Sequence, residues 1–435
     1  IGGGCGGLAA AAKLKQEGLP DVILIERDIE LGGVLNQCIH NGFGLTTFKE
    51  QLSGPAFAER YEREAAASGV EIKLGTMVTH MSSDRTIEYV SQEEGYQRLQ
   101  ADIIILAVGC YERSRGALGI PGERPSGVYT AGQAQRYLNI DGYMVGQKVF
   151  ILGSGDIGLI MARRMSLEGA EVLGVAELMP YSNGLPRNMK QCLDDFGIPL
   201  YLSHTVTNIY GRDRLERIEL TKVDDKRQPI KGSEMYFDVD TLLLSVGLIP
   251  ENTLAEEAGI EMDPSIRGPI VDENYMTSVP GIFACGNGLH VHDLADFVTK
   301  QASEAAAGAA RYYEALKQRL KEAHDGDEAE TFGLSPDDDD ESLTNNSSCE
   351  AHAGNMVSYV VPAKLHKKSL PKAVTFYFRV RKPMKDITIE ISKGDKLMRS
   401  IHKDVAIPSE MEQVVIAGKH LEEADGDLTI QIKEN

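Results

Sequence analysis

Glycines near the start of the chain have the spacing of a loop that binds the pyrophosphate of a dinucleotide. Gly2, Gly4 and Gly7 form the pattern GxGxxG, and Glu26 follows nineteen residues after the last glycine. Glycine permits the tight turn and lets phosphate oxygens approach the backbone at a helix N-terminus. An acid at the end of the next strand accepts hydrogen bonds from an adenosine ribose. The pattern therefore predicts a βαβ dinucleotide-binding unit.

The same pattern occurs a second time. Gly153, Gly155 and Gly158 follow the apolar segment KVFIL, and Glu177 again comes nineteen residues after the third glycine. Two units predict two bound dinucleotides. The alternative is that one unit binds a nucleotide and the other is a degenerate copy.

The segment near residue 285 indicates which unit holds which nucleotide. An apolar strand is predicted at 281–284, followed by Gly286, Asn287 and an alanine-rich helix that begins near Thr299. A helix N-terminus there can stabilise negative charge on the pyrimidine edge of a flavin. FAD is long enough to need both this helix and the first glycine loop, so we assign FAD to the first unit and NAD(H) to the second. Glu177 favours NAD, because it would repel the 2′-phosphate of NADP.

Cys38 and His40 follow a glycine pair in the segment LGGVLNQCIHNGFG, which should run along the flavin ring. Cys38 could act as a thiolate or sulfenic acid supported by His40, or it could be a small packed residue, which we favour. A dithiol mechanism within the chain is not expected, because no second cysteine lies near Cys38 and no CxxC occurs. Cys5, Cys110 and Cys285 are expected to be core thiols.

Composition narrows the classes of function. The net charge of −20 argues against a nucleic-acid partner, and six irregularly spaced cysteines fit reduced thiols in the cytoplasm. No apolar run is long enough for a membrane span. His290, His292 and Asp293 lack further ligands nearby, so we expect no metal and place them at the surface or beside the flavin. Ile1 precedes the glycines without a methionine, so the first strand is expected to be truncated.

The last third of the chain has a different composition. Residues 323–355 contain acidic runs and little to bury, which predicts a linker. Residues 356–435 alternate apolar and polar side chains in several segments, which predicts a small all-β module. It carries 14 Lys and Arg against 11 Asp and Glu, in an otherwise acidic chain. We expect it to dock on a partner or on its own acidic body, or to act as a structural clamp.

Five segments together resemble the pyridine nucleotide–disulfide oxidoreductase superfamily, on a thioredoxin-reductase-like scaffold. They are the two glycine units and the segments AVGCYERSRGALGIPGE, SVGLIPEN and GIFACGN. The resemblance implies an α/β fold with two Rossmann-like three-layer domains, the FAD domain being interrupted by the NAD domain. Asn287 stands where the family usually has an aspartate that binds the ribityl chain, and an amide oxygen can accept the same hydrogen bond.

The resemblance also implies domain limits and binding residues. The limits are 1–116 and 249–322 for the FAD domain and 117–248 for the NAD domain. The expected FAD contacts are Gly2, Gly4, Gly7, Glu26, Arg27, Gly33, Val34, Ala107, Gly109, Gly286 and Asn287. The expected NAD contacts are Gly153, Gly155, Asp156, Ile157, Gly158 and Glu177.

A narrower resemblance rests on LGGVLNQCIHNGFG and SGVYTAGQAQRYLN. Both segments are similar to flavoprotein subunits of opine oxidases, hydrogen cyanide synthases and sarcosine oxidases, and to flavoproteins that accompany glycerol-3-phosphate dehydrogenases. The chain is thus expected to transfer hydride between NAD(H) and FAD as a subunit that serves a dehydrogenase partner, and it could also self-associate. The alternatives are a free-standing NADH oxidase, peroxidase or diaphorase that uses Cys38, and a non-catalytic assembly subunit.

Overall fold

A computed structural model describes residues 1–323, 348–367, 369–423 and 425–434. The chain forms two compact units, one of Tyr111–Ile249 and the other of Ile1–Cys110 together with the chain from Pro250 onward. The divisions fall inside the segments AVGCYERSRGALGIPGE and SVGLIPEN, two of the segments that carry the family resemblance. Within the described residues, no helix is both long and apolar enough to cross a membrane.

The unit of residues 111–249 has a five-stranded parallel sheet between two other layers. Alternation along the strand Lys148–Leu152 explains the layers, because side chains of a strand point alternately to opposite faces. Val149 and Ile151 pack with the helices on one face, whereas Phe150 and Leu152 pack with a three-stranded antiparallel sheet on the other. The parallel strands, in order across the sheet, are Val128–Thr130, Thr241–Leu244, Lys148–Leu152, Glu171–Glu177 and Leu200–Leu202.

The remaining elements of this unit flank the parallel sheet. The antiparallel strands are His204–Tyr210, Arg217–Lys222 and Met235–Phe237. The helices are Arg115–Leu118, Ala131–Asn139, Asp156–Leu167 and Pro186–Cys192, with a 3₁₀ turn at Asp194–Phe196. The strands Cys110–Glu112 and Leu248–Pro250 lie at the two divisions.

The other unit contains a second parallel arrangement. Ile23–Ile25 pairs with Glu71–Lys73, and Ile104–Leu106 pairs with Ile282–Ala284. Ile1 and Gly2 join the two pairs, because Gly2 N–H donates to Ile25 and Ala107 N–H donates to Ile1. The other strands are Asn41–Phe43, Leu52–Ser53, Thr76–Met81, Thr86–Ser91, Gly95–Gln100, Met262–Asp263 and Gly268–Pro269. The helices are Cys5–Gln16, Gly54–Ala67, Thr253–Glu257 and Ala295–Ala323, with 3₁₀ turns at Gly33–Gln37 and Gly286–Gly288.

The C-terminal residues form a β module with two sheets around their own core. The first sheet has five strands, in the order Lys364–His366, Ser348–Ala353, Leu428–Glu434, Met384–Lys393 and Lys396–Ala406. The second has three strands, Val357–Val361, Ala373–Val380 and Glu412–Ala417, and a short helix follows at Gly418–Glu423.

The start of the long helix and the extent of the linker differ from those expected. The alanine-rich helix begins at Ala295 instead of near Thr299, because Leu294 already accepts hydrogen bonds from the amides of Phe297 and Val298. The strand Ser348–Ala353 lies within the range assigned to the linker, where its pairing with Leu428–Glu434 makes it part of the module. The acidic runs of that linker lie outside the described residues.

Candidate active site

The first glycine turn has the close contacts that a dinucleotide site requires. Gly2 has a φ of +101°, and a Cβ there would lie 2.4 Å from the carbonyl oxygen of Ala107. A Cβ on Gly7 would lie 1.8 Å from the oxygen of Gly2, so glycine lets the helix pack on the turn. Beside Gly4 and Gly109, by contrast, no atom lies within 4 Å of where a Cβ would stand. This open cradle at the helix N-terminus fits the pyrophosphate of FAD.

Glu26 holds this turn from the end of its strand. Its carboxylate accepts hydrogen bonds from the backbone amides of Gly3 (2.5 Å) and Asp28 (2.7 Å), and the side chain is buried. Both bonds are charge-assisted, so they fix the carboxylate next to the glycines. The acid thus orders the backbone turn in addition to its expected role with the ribose.

The glycine pair after the strand returns the chain to the same turn. Gly32 donates to the carbonyl of Gly3, and a Cβ on Gly33 would lie 3.2 Å from the Cα of Gly4. Arg27 is exposed, and Val34 is 62% exposed at the start of the 3₁₀ turn. An apolar side chain this exposed, beside the glycine cradle, fits contact with a bound ligand.

Gly286 and Asn287, two of the expected FAD contacts, lie in the 3₁₀ turn Gly286–Gly288. Gly286 N–H donates to Gln301 Oε1 (2.8 Å), which ties the 3₁₀ turn to the long helix. Asn287 Oδ1 accepts the backbone N–H of His292 (2.9 Å). Its amide oxygen therefore also has a structural partner, which the sequence did not predict, and its NH₂ group is the donor that a ribityl hydroxyl could use.

Asp296 is a site residue that sequence reasoning missed. In the first turn of the long helix, its buried carboxylate accepts the backbone amides of Gly44 (3.0 Å), Thr46 (3.1 Å) and Thr47 (2.7 Å). These contacts join the helix to the loop that follows Cys38 and His40. A lone aspartate in a predicted helix gives no signal for them, because they span about 250 residues of sequence.

Cys38 directly follows the 3₁₀ turn Gly33–Gln37. Its Sγ donates to the carbonyl of Val34 (3.3 Å), and burial raises its pKa to about 12. A thiol with this pKa is protonated at neutral pH and is a weak nucleophile. His40 packs against the ring of Phe43, with 5.2 Å between ring centroids.

The other three cysteines near the first nucleotide site differ in exposure. Cys285 is fully buried, as expected of a core thiol, whereas Cys5 and Cys110 are half-buried. Burial raises the pKa of both Cys5 and Cys285 to about 12.

The second glycine turn repeats the first in detail. Gly153 has a φ of +100°, and a Cβ there would lie 2.0 Å from the carbonyl oxygen of Ser245. A Cβ on Gly2 would approach the carbonyl oxygen of Ala107 in the same way. A Cβ on Gly158 would lie 2.7 Å from the oxygen of Gly153. Gly155 caps the helix Asp156–Leu167, and its nearest neighbour would be Ser245 Oγ at 3.4 Å. This geometry fits a second dinucleotide pyrophosphate.

Glu177 repeats the role of Glu26. Its buried carboxylate accepts the amide of Ser154 (3.0 Å), the hydroxyl of Ser154 (2.6 Å) and the amide of Met179 (2.9 Å). Ser154 lies in the second glycine turn as Gly3 lies in the first, and Met179 follows the second strand as Asp28 follows the first. Both glycine turns are therefore ordered by an acid at the end of the adjacent strand.

Asp156 and Ile157 open the helix of the second unit, and both are half-buried. Asp156 Oδ1 accepts hydrogen bonds from the amide of Leu185 (2.9 Å) and from Asn188 Nδ2 (2.7 Å). One carboxylate oxygen of Asp156 thus orders the loop that faces the helix N-terminus, a role that its sequence position did not reveal.

His290 and His292 are buried, so the surface interpretation of these residues is wrong. Their ring centroids lie 4.3 Å apart, His292 Nδ1 bonds to the carbonyl of His290 (2.9 Å), and His290 Nε2 lies 2.8 Å from Gln301 Nε2. Burial lowers the pKa of His290 far below its usual value and that of His292 to about 3. Both rings are therefore neutral. Asp293 pairs with Arg379 of the β module.

Comparison with known proteins agrees with this geometry. The family model described as pyridine nucleotide-disulphide oxidoreductase matches residues 1–309. A hydrogen cyanide synthase subunit of Pseudomonas protegens is 24% identical over 70% of this chain and 66% of its own length. An opine oxidase subunit of Agrobacterium tumefaciens is 24% identical over 66% of this chain and 60% of its own length. The chain thus spans about two thirds or less of these two relatives.

Solved structures share the fold. Thioredoxin reductase of T. acidophilum matches with a TM-score of 0.58 at 22% identity, over 72% of this chain and 97% of that one. An NAD-dependent persulfide reductase from A. fulgidus matches with a TM-score of 0.55 at 16% identity, over 98% of this chain and 74% of that one. With two glycine turns that each fit a dinucleotide, the chain belongs to the pyridine nucleotide–disulfide oxidoreductase family and is an oxidoreductase whose cofactors are FAD and a nicotinamide nucleotide.

Proposed function

We propose that this chain transfers hydride between NAD(H) and FAD as the flavoprotein subunit of a metabolite dehydrogenase complex. Glycerol 3-phosphate is the first candidate for the metabolite. The observation that carries the proposal is the repeated acid-and-glycine turn, with Glu26 in one unit and Glu177 in the other. Two intact turns favour two functional nucleotide sites over one site and a degenerate copy.

The protein's own residues bind and orient the nucleotides in this proposal. FAD, when bound, supplies the two-electron redox chemistry. Gly4 and Gly155 leave room for pyrophosphate at two helix N-termini, and Glu26 and Glu177 fix the turns. Each acid would also accept hydrogen bonds from the adenosine ribose of its nucleotide. Glu177 also disfavours a 2′-phosphate, which makes NADH the preferred nicotinamide nucleotide.

A separate partner polypeptide is supported by the sequence and by the relatives. No CxxC pair occurs in this chain to carry electrons onward. The relatives from Pseudomonas protegens and Agrobacterium tumefaciens are named as subunits of hydrogen cyanide synthase and opine oxidase. We propose that the acceptor or donor on the far side of the flavin is likewise another polypeptide, and that the complex works in the cytoplasm.

A free-standing NADH oxidase or peroxidase remains the second candidate, because an NADH oxidase of Methanocaldococcus jannaschii is 27% identical over 58% of this chain. That reaction would use Cys38 as the peroxide-reacting group. The raised pKa of Cys38 counts against it, since a protonated thiol reacts slowly with peroxide.

The proposal is tested with the purified holoprotein and a candidate partner dehydrogenase. Alone, the chain should reduce artificial dyes with NADH and should not reduce NAD with glycerol 3-phosphate. Adding the partner should produce coupled turnover. The Gly155→Ala variant is the control, because it should need much more NADH for the dye reaction and for coupled turnover alike. Full glycerol 3-phosphate activity from the isolated chain would refute the division of labour.

A further inference from the structure

The β module is packed onto the FAD domain, and one contact region lies on the segment 286–296 that carries part of the FAD site. Val361, Tyr377 and Met411 of the module are buried in the same apolar core as Leu8 and Ala302 of the FAD domain. The module therefore shares a core with the FAD domain in addition to having its own.

Arg379 makes the main polar contact in this region. Its guanidinium forms an ion pair with Asp293, and it also donates to the carbonyl of Val291 (3.1 Å) and to that of Pro408 in its own module (3.0 Å). The second carboxylate oxygen of Asp293 accepts the backbone N–H of Met411 (2.6 Å). Side-chain exposure is 17% for Arg379 and 15% for Asp293, so water screens the pair only weakly.

Aromatic rings of the module enclose the neighbouring histidines. Tyr377 is fully buried, with its ring centroid 5.5 Å from that of His290 and 5.9 Å from that of His292. The ring of Tyr359 lies 5.9 Å from His290. Arginine and tyrosine side chains of one module thus contact four consecutive residues, 290–293.

These four residues are connected to both parts of the FAD site. The backbone of His292 donates to Asn287, and the ring of His290 contacts Gln301, which accepts the amide of Gly286. Three residues beyond Asp293, Asp296 binds the loop 44–47 that follows Cys38 and His40. A displacement of the 290–293 segment would therefore move Gly286 and Asn287 on one side and the loop 44–47 on the other.

We propose that Arg379 is a positioning residue for the FAD site: through Asp293 and Val291, it holds the 286–296 segment in the conformation that binds the flavin cofactor. In this proposal, the β module helps to hold the FAD site in its binding conformation. This inference depends neither on the metabolite nor on a partner polypeptide, so either proposal can fail without the other.

The test compares matched arginine variants by their affinity for FAD. Arg379→Ala removes the guanidinium from the largely buried carboxylate of Asp293, and the loss of one partner of such an ion pair is unfavourable enough to shift the segment. We expect the dissociation constant of FAD, from fluorescence titration of the apoprotein, to rise about tenfold. The visible circular dichroism of the bound flavin should change as well.

Arg381→Ala is the control, because Arg381 makes its hydrogen bonds within the module: Nε donates to Val357 (2.9 Å) and the backbone N–H to Met356 (3.0 Å). It should change neither the FAD dissociation constant nor the flavin spectrum, even where it lowers the melting temperature. Arg379→Lys, which keeps the charge without the planar fork, should bind FAD with intermediate affinity. It also serves as the test variant if Arg379→Ala does not fold.

A double variant separates positioning from general destabilisation. Arg379→Ala combined with Asp293→Ala should bind FAD no more weakly than the weaker of the two single variants, because both act through one contact. Wild-type affinity and spectrum in Arg379→Ala, or in Arg379→Lys where only that variant folds, would overturn the proposal. An equal loss in Arg381→Ala would do the same.

Discussion

At the scale of single residues, Glu26 and Glu177 have the same arrangement. Each accepts a hydrogen bond from a backbone amide with both oxygens of its carboxylate. The sequence reveals such residues well, because glycine spacing and a following acid are local. It does not reveal Asp296 or Arg379, whose partners lie far away along the chain.

Changing Glu177→Ala should narrow the preference for NADH over NADPH. Removing the carboxylate removes the repulsion of the 2′-phosphate, which is worth about 1 to 2 kcal/mol, or roughly tenfold in the ratio of kcat/KM values. The KM for NADH should also rise, because the amides of Ser154 and Met179 lose their acceptor. Steady-state dye reduction with each nucleotide measures both effects.

Glu171→Ala, at the exposed start of the same strand, is the matched control and should leave the preference unchanged. Equal rates with both nucleotides in the unaltered protein would contradict the role assigned to Glu177.

Cys38→Ser should leave the rate of flavin reduction by NADH within a few-fold of the unaltered value. Burial raises the pKa of this thiol to about 12, so the thiolate is almost absent at pH 7. Alkylation of Cys38 by iodoacetamide should accordingly speed up with pH well beyond pH 9. A long-wavelength absorption band or peroxide turnover that disappears in the variant would show that Cys38 takes part in the chemistry.

Elements with a local pattern were predicted closely. The strand KVFIL is observed at Lys148–Leu152. In the module, five segments alternate apolar and polar residues, and each contains a strand: AVTFYFRVR, DITIEIS, KLMRSIH, MEQVVIA and DLTIQIK. The strand Ser348–Ala353 was missed because its small and charged side chains lack clear alternation, and its pairing with Lys364–His366 and with Leu428–Glu434 makes it a strand. The start of the helix at Ala295 depends on Leu294, which carries no capping side chain to mark it.

The two glycine turns predict opposite outcomes for a matched pair of variants. Gly4 and Gly155 have extended backbone angles that alanine adopts, and no atom lies within 3.4 Å of either added Cβ. Gly4→Ala should therefore fold normally but lose most of its FAD, because the methyl group occupies the cradle. Gly155→Ala should keep its FAD and bind NADH at least several-fold more weakly.

Absorbance at 450 nm relative to 280 nm, NADH titration and the melting temperature of the apoproteins measure this pair. Retention of FAD by Gly4→Ala, or loss of FAD from Gly155→Ala, would show that the assignment of the turns is wrong.

At the scale of the molecule, the β module docks on its own acidic body, which is one of the alternatives that its composition left open. Three cations of the module pair with acids of the FAD domain: Lys364 with Glu261, His366 with Asp272 and Glu273, and Arg379 with Asp293. Charge suggested such docking, but the surface used depends on side chains brought together by folding, which composition cannot specify. Deleting the module would expose a shared core, so point variants are the better probes.

His366 gives this contact a defined pH dependence. Hydrogen bonds to Asp272 and to Glu273 raise its pKa from 6.5 to about 10. Because the folded pKa of His366 is raised, its stabilisation is lost as the pH rises through 10. Below about pH 6 the contact weakens as well, because burial raises the pKa of the partner Asp272 to about 6. The melting temperature of His366→Gln should thus lie below that of the unaltered protein at pH 7, and this difference should close near pH 10 to 11.

His352→Gln, at a half-exposed histidine of the same module, is the control. Its melting temperature should differ only slightly from that of the unaltered protein. The proposed ion pair would be contradicted if the difference in melting temperature between His366→Gln and the unaltered protein stayed constant or widened as the pH rises.

Anaerobic stopped-flow absorbance tests most directly whether the two nucleotide sites work together in electron transfer from NADH to the flavin. Mixing the holoprotein with NADH should bleach the flavin band at 450 nm, with a rate that saturates as NADH increases, and NADPH should act far more slowly. Gly155→Ala should need much more NADH to reach the same rate. An FAD-loaded protein whose flavin stays oxidised in excess NADH would contradict the account.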